Sequence, residues 1–466
     1  MQVAHFLDAE LLPWATALAE ALFSPSVHAL QPDSRAAQAS EETWGHLDAL
    51  APLGDAIDTV LRASRRPLLE QLLLTPAEWR PAVISSHTIA DKLTLTGAEA
   101  AACRDDMHAV CGVQTFTLNL QASAAADSGA VATSEQQRAC SAAAAMPTLR
   151  VLEVRGRIGT AGAASLSARA TLSRLSLLEG LGLGSNDVGA GGAAALAGPL
   201  GHLTALTFLR VEDNAVGADG AASLAPALRH LSQLDSLCLG SNAVGAGGAA
   251  ALAGPLGHFT RLTVLWLDDN DFGAAGAGWL APALRQLSQL ISLNLNGNGV
   301  GAGGAAALAG PLGHLTALTS LALVDNDIGA DGAVSLAPAL RQLSQLALLN
   351  LSSNGVGAGG AAALAGPLSH LTALTGLGLD NNDVGAAGAA SLAPALANLS
   401  RLTELCLGGN NVGCGGATAL APALSRLIAL TVLVIELNGI SNTGVLHLVP
   451  ALARLSALRE LRLFPQ

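Results

Sequence analysis

The sequence predicts an α/β solenoid horseshoe, with a parallel concave sheet, convex helices and a helical N-terminal cap. Three observations predict it. Asn186, Asn214, Asn242, Asn270, Asn298, Asn326, Asn354, Asn382, Asn410 and Asn438 stand 28 residues apart, and one more step reaches Gln466. A fixed period of this length is the mark of a stacked repeat. Each unit also carries two apolar spacings, first two residues and then three or four. Finally, the 466 residues are 51% hydrophobic but only 3% aromatic and 12% charged, with 52 Gly and no Tyr. That composition suits a thin core copied many times better than one thick core filled by large rings.

The elements follow in order within one unit. Leu181 and Leu183, Leu209 and Val211, and so on to Leu461 and Leu463, alternate as a short strand does. The Asn turns the chain at the strand end, where its amide can satisfy backbone groups of the loop. Leu224, Leu228 and Leu231 then recur at helical spacing. Strand and helix in alternation give parallel strands joined by right-handed crossovers. No unit buries its apolar face alone, so stability comes from stacking.

The unit reads L-x-x-L-x-L-x-x-N-x-V-G-A-x-G-A-x-x-L-A-x-x-L-x-x-L-x-x. It resembles the leucine-rich repeat, and its length resembles the ribonuclease inhibitor-like subfamily. The resemblance covers residues 149–466. It implies an intracellular scaffold, inhibitor or recognition module. A second period of 56 alternates A-A-A-L-A-G-P-L units (Leu196, Pro199) with S-L-A-P-A-L units (Leu224, Pro226). Subfamily members also alternate two unit types, and duplication of a two-unit block explains the period equally well. The prolines are expected to kink each helical segment or confine regular helix to the residues after them. Ala and Gly at the helix contacts are expected to let neighbours approach closely.

Residues 1–90 read as helices and are assigned to the cap, with a separate adaptor domain as the other reading. Residues 91–148 hold degenerate repeats, at Leu93–Leu95 and Leu118–Leu120, and an Ala/Ser-rich segment. Residues 149–466 form the array. Its first unit is imperfect, because Arg157 stands where the leucines would place the Asn. The last strand carries Leu461, Leu463 and Phe464 with no helix after it; we expect a tolerated bare end and a monomer.

Net charge is −12, from 35 acidic and 23 basic residues, and Lys92 is the one lysine. Such a chain is a poor ligand for nucleic acid or anionic membrane and a fair one for a basic protein. Six sparse cysteines without a CxxC pair point to reduced thiols and a cytoplasmic setting. The uncharged stretches 286–324 and 342–379 are interrupted by Asn, Gln, Ser, His, Pro and paired Gly, so they do not read as spans. The N-terminus lacks a basic n-region and carries Asp8 and Glu10.

No catalytic, cofactor or metal site is expected. His202, His258, His314 and His370 lie 56 residues apart, two units, which is too far to converge on one ion. The G-A-G-G segments lack the Lys-Ser/Thr of a phosphate loop and read as turn glycines. The informative positions are those flanking the central leucines, which face the concave surface. Phe208, Arg210, Glu212, Asp213, Trp266, Asp268, Asp269, Asp325 and Asp380 are the candidate partner-binding residues. Acidic rows alternate with small neutral rows, about 10 Å apart for strands spaced about 4.8 Å. The expected function is non-enzymatic binding of a basic protein, anchored near Trp266 and Phe208. Two alternatives stay open. One is a GTPase activator similar to the Ran GTPase activator, with Arg155 and Arg157 as its rim arginines. The other is an adaptor or scaffold for a ubiquitin ligase or cytoskeletal assembly, working through residues 1–90.

Overall fold

The computed structural model describes residues 92–96, 115–119, 148–167 and 172–464. The expected N-terminal cap and the Ala/Ser-rich segment lie outside them.

Fourteen strands form one parallel sheet in sequence order. They are β1 (Lys92–Thr96), β2 (Thr115–Asn119), β3 (Val151–Arg155), β4 (Gly180–Gly182), β5 (Phe208–Arg210), β6 (Ser236–Cys238) and β7 (Val264–Trp266). They continue as β8 (Ser292–Asn294), β9 (Ser320–Ala322), β10 (Leu348–Asn350), β11 (Gly376–Gly378), β12 (Glu404–Cys406), β13 (Val432–Val434) and β14 (Glu460–Arg462). Register is unbroken from unit to unit: Leu181 pairs Leu209, Leu209 pairs Leu237, and Leu433 pairs Leu461. From β3 onward each strand but the last is followed by a helix: α1 (Gly159–Ser167), α2 (Gly189–Leu200), α3 (Gly217–Leu228), α4 (Gly245–Leu256), α5 (Gly273–Leu284) and α6 (Gly301–Leu312). Then come α7 (Gly329–Leu340), α8 (Gly357–Leu368), α9 (Gly385–Leu396), α10 (Gly413–Leu424) and α11 (Asn442–Leu452).

The core lies between the two layers and is aliphatic. The units from β4 to β12 bury the same set, for example Leu293, Leu295, Val300, Leu308, Leu312, Leu315 and Leu318, all at most 1% exposed. Full burial of one such side chain stabilises by about 1.5–3 kcal/mol before entropy. Leu231, read as part of a helical face, lies beyond the end of α3 in the following turn, yet it is fully buried.

The prolines correct a sequence expectation. Regular helix precedes them instead of following. Pro199 is the penultimate residue of α2 and Pro226 the third from last of α3. A proline costs an interior helix a donor and a clash with the carbonyl four residues back. In the last turn that cost is small, because bonding there has already tightened. His202 N donates to Pro199 O at 3.1 Å and Leu203 N to Leu200 O at 3.0 Å. The helices do approach closely through glycine. A Cβ on Gly220 of α3 would lie 3.1 Å from Ala190 Cα and 3.1 Å from Ala193 Cβ of α2.

The asparagines are buried, each at most 2% exposed. They do more than turn the chain. Asn270 Nδ2 donates to Leu267 O and Asp268 O of its own unit and to Leu239 O of the unit before, at 2.9–3.0 Å. Its Oδ1 accepts from Asn242 N at 3.2 Å and Val244 N at 3.3 Å, again in the unit before. The ladder therefore supplies buried backbone groups that no strand or helix satisfies.

Candidate protein-binding face

The strands turn one side to the helices and leave the other free. On the free face, the first and third strand residues of neighbouring units stand side by side in rows, because the register is unbroken. One row runs Phe208, Ser236, Val264, Ser292; the next runs Arg210, Cys238, Trp266, Asn294. Trp266 is 45% exposed, and its Nε1 donates to Ser292 Oγ at 3.4 Å. The Arg210 guanidinium stands 5.7 Å from the centre of the Phe208 ring. Leu348, which sequence reasoning passed over, shares the strand position of Phe208 and is 49% exposed. That shared position was the signal available for it.

Large side chains on this face lean onto glycines of a neighbouring unit. A Cβ on Gly180 would run into the Phe208 ring. One on Gly376 would lie 2.7 Å from Leu348 Cδ2, one on Gly184 2.6 Å from Glu212 Oε1, and one on Gly240 2.7 Å from the Asp268 carboxylate. Asp380 lies between Ser352 and Gly408. It accepts from Ser352 Oγ at 3.2 Å and from Gly408 N at 2.7 Å. For these residues the alternation of acidic and small rows thus has a packing cause, since each lies over a small neighbour.

The candidate acids divide into two groups. Glu212, Asp268 and Asp380 stand two residues before the ladder Asn, at the end of the free face, and each is half-buried. Asp213, Asp269 and Asp325 stand one residue before it, in the turn itself, with φ of +54°, +50° and +54°. The expectation that these three occupy the sheet surface is corrected: they stand in the left-handed turn beyond the strand. That region favours Gly, Asn and Asp, and the other units place Gly297, Gly409, Asn381, Ser185, Ser241, Ser353 and Leu437 there. The backbone conformation is therefore one reason for an Asp at this position. Asp187, Asp271, Asp327 and Asp383, one residue after the Asn, are left-handed for the same reason. Leu437, one residue before Asn438, has φ +55° and is 55% exposed. Leu437→Gly is expected to stabilise the chain by about 1 kcal/mol, read as a raised urea midpoint.

Electrostatics follow burial. Burial raises the Asp268 carboxyl above its usual value, and the charge of Asp269 adds to this. Burial, with the charge of Glu212, raises the Cys238 thiol. Cys406 is pushed up to about 12 by burial, then by Asp380 and Glu404. Cys414, at the start of α10, is lowered by its contact with the Ser441 hydroxyl at 3.0 Å. Because the thiolate is the nucleophile, among the described cysteines iodoacetamide at pH 8 is expected to label Cys414 before Cys238 and Cys406. Peptide-level mass spectrometry reads the order.

The remaining sequence candidates are placed as follows. Arg155 pairs with Glu153 at 2.8 Å and Arg157 with Asp187 at 3.5 Å, so both rim arginines already have carboxylate partners. His258, His314 and His370 each place Nδ1 2.8–2.9 Å from a carbonyl four residues back, at a helix C-terminus. Among the described residues, no group of three His, Cys, Asp or Glu is placed to hold a metal ion. None of the described helices is long and apolar enough to cross a membrane. Trp279 of α5 is 59% exposed on the helical layer, far from the acids of the free face in the unit's order.

The sequence matches the Leucine Rich repeat family at residues 202–225, 288–309, 314–337 and 346–365. No curated protein matches the chain. Among solved structures, an internalin from Listeria monocytogenes is 18% identical, with a TM-score of 0.44, covering 89% of this chain and 96% of that one. A TLR13–ssRNA13 complex is also 18% identical, with a TM-score of 0.49, covering 84% of this chain and 52% of that one. This chain thus spans about half the length of the TLR13 chain.

Proposed function

We propose that the chain, which carries matches to the Leucine Rich repeat family in four segments, is a leucine-rich repeat protein of the ribonuclease inhibitor-like type that acts as a non-enzymatic, cytoplasmic binding module. Its partner is a basic protein that lies on the free, concave face of the sheet. The observation that carries this reading is Trp266, nearly half exposed at the middle of that face with Asp268 two residues on. A rigid ring with a neighbouring carboxylate is the arrangement that anchors a cationic protein surface. Half-buried Glu212 and Asp380 extend the negative potential along the same face. Neighbouring charges within about a Debye length add. The acids of the left-handed turns supply field along its rim, but their residue type answers in part to the backbone.

Affinity capture with three forms of the full chain tests the reading. The first is wild type. The second carries Trp266→Ala with Asp268→Asn and Asp380→Asn. The third carries Asp219→Asn and Asp331→Asn on helices α3 and α7. Basic partners retained by the first and third and lost from the second are expected, with affinity falling about tenfold or more. Equal retention by all three forms, or retention of acidic partners, sinks the proposal.

A further inference from the structure

The asparagine ladder has a direction, because each Asn closes the turn of the unit before it. Asn214 Oδ1 accepts from Asn186 N at 3.0 Å and Val188 N at 3.2 Å. The pattern runs on to Asn438, which accepts from Asn410 N and Val412 N. At the start of the array it stops. Asn186 is fully buried, and its Oδ1 accepts no hydrogen bond.

The cause is in the chain. Leu152 pairs Leu181, so Arg157 takes the place of the ladder Asn in the preceding turn. Two residues separate Asn186 from Gly189 at the start of α2, but only Ile158 separates Arg157 from Gly159 at the start of α1. The backbone also differs. Later turns place a left-handed residue on each side of the Asn, whereas here Gly156 (φ +110°) and Arg157 (φ +34°) follow one another directly. A shortened turn of this shape does not bring its N–H groups to Asn186 Oδ1. Lost relative to later junctions are the two bonds accepted by the Asn oxygen; kept are Asn186 Nδ2 to Val154 O at 2.8 Å, Gly159 N to Asn186 O at 2.9 Å, Thr160 Oγ1 to Val188 O at 3.1 Å, Gly180 N to Arg150 O at 2.8 Å, and the exposed Arg157–Asp187 and Arg150–Glu179 pairs.

We propose that the turn Gly156–Gly159 is a built-in break in the solenoid, where β3 and α1, together with β1 and β2 paired ahead of them, open away from the array that begins at β4. In a stacked repeat each unit holds only its neighbours, so the weakest junction sets where the array divides. Opening there turns β4 into an edge strand and shortens the free face from one end.

Hydrogen exchange on the full chain tests this. Peptides within 148–167 are expected to exchange at one shared rate, about tenfold or more faster than peptides within 208–436, with the step between 167 and 180. The last unit, 442–464, serves as the control for ordinary end fraying. A second chain carries Arg157→Asn with one Ala inserted after it, which restores the spacing of later units. Its 148–167 peptides are expected to gain protection toward that of the array. Protection that declines gradually unit by unit, a step elsewhere, or an unchanged step in a folded repaired chain would overturn the proposal. If the repaired chain does not fold, the wild-type profile alone decides.

Discussion

Replacing Asn270 by Leu is expected to lower the stability of the array by about 3–6 kcal/mol. Leucine matches asparagine in size, so packing changes little. What is lost is the set of five hydrogen bonds made by one buried side chain. The N–H groups of Asn242 and Val244 are left buried without an acceptor, and each such group costs about 1–3 kcal/mol. Buried unpaired N–H groups are rare in folded proteins for this reason. Asn186→Leu supplies the internal comparison. Its Oδ1 accepts nothing, and its Nδ2 donates to Val154 O and Gly184 O. Roughly half the loss is expected there. Urea unfolding followed by circular dichroism measures both, with the slope checked for loss of two-state behaviour. Equal losses at the two positions, or a loss under about 1 kcal/mol at Asn270, would show that the ladder bonds are not what holds the turns. Asn270→Asp adds a pH signature. The two accepted bonds survive, but an oxygen now faces three carbonyls. Such a carboxyl has a raised folded-state pKa. The destabilisation is therefore full at neutral pH and is relieved as pH falls through that value.

The order of strand, turn and helix was legible because each has its own spacing in every unit. The pairings Leu209 with Leu237 and Leu237 with Leu265 follow from the same count. Three features were not legible, each for a physical reason. Pro199 and Pro226 read as helix breakers because sequence shows that a proline is present, not how many turns precede it. The direction of the Asn bonds depends on which unit faces the amide, and spacing alone is the same both ways. The acids looked like one stripe because Asp268 and Asp269 are adjacent in sequence. The structure separates them, since only Asp269 takes a positive φ, +50°. A residue favoured by backbone conformation and one left to face a partner carry the same letter. The distinction bears on function: Glu212, Asp268 and Asp380 are the acids whose type the left-handed turn does not explain.

Gly304→Ala and Gly310→Ala, two identical changes in one helix, are expected to move stability in opposite directions. Both glycines lie in α6 with ordinary helical backbone, so alanine gains about 1 kcal/mol of helix propensity at either site. At Gly310 nothing but its chain neighbours lies within 4 Å of an added Cβ; Pro311 follows and trims the gain, yet Ala225 before Pro226 sits in regular helix in α3, so the gain stays positive. At Gly304 the Cβ would lie 2.8 Å from Val300 Cγ1, 3.0 Å from Ala277 Cβ and 3.1 Å from Ala274 Cα. The valine can rotate, but Ala274 Cα is backbone of the neighbouring helix α5 and moves only with it. Overpacking of this kind costs about 1–3 kcal/mol and exceeds the propensity gain over most of that range. Thermal unfolding should therefore place Gly304→Ala below wild type and Gly310→Ala above it. The same contact recurs at Gly220, Gly248, Gly332, Gly360, Gly388 and Gly416, each with a Cβ 3.1–3.2 Å from a Cα of the preceding helix. One methyl group per unit at these positions would hold the helices apart while the strands keep their hydrogen-bonded spacing. The close approach of neighbouring helices is thus expected to depend on these glycines. A rise in stability for Gly304→Ala equal to that for Gly310→Ala would show that the helices have room to spare.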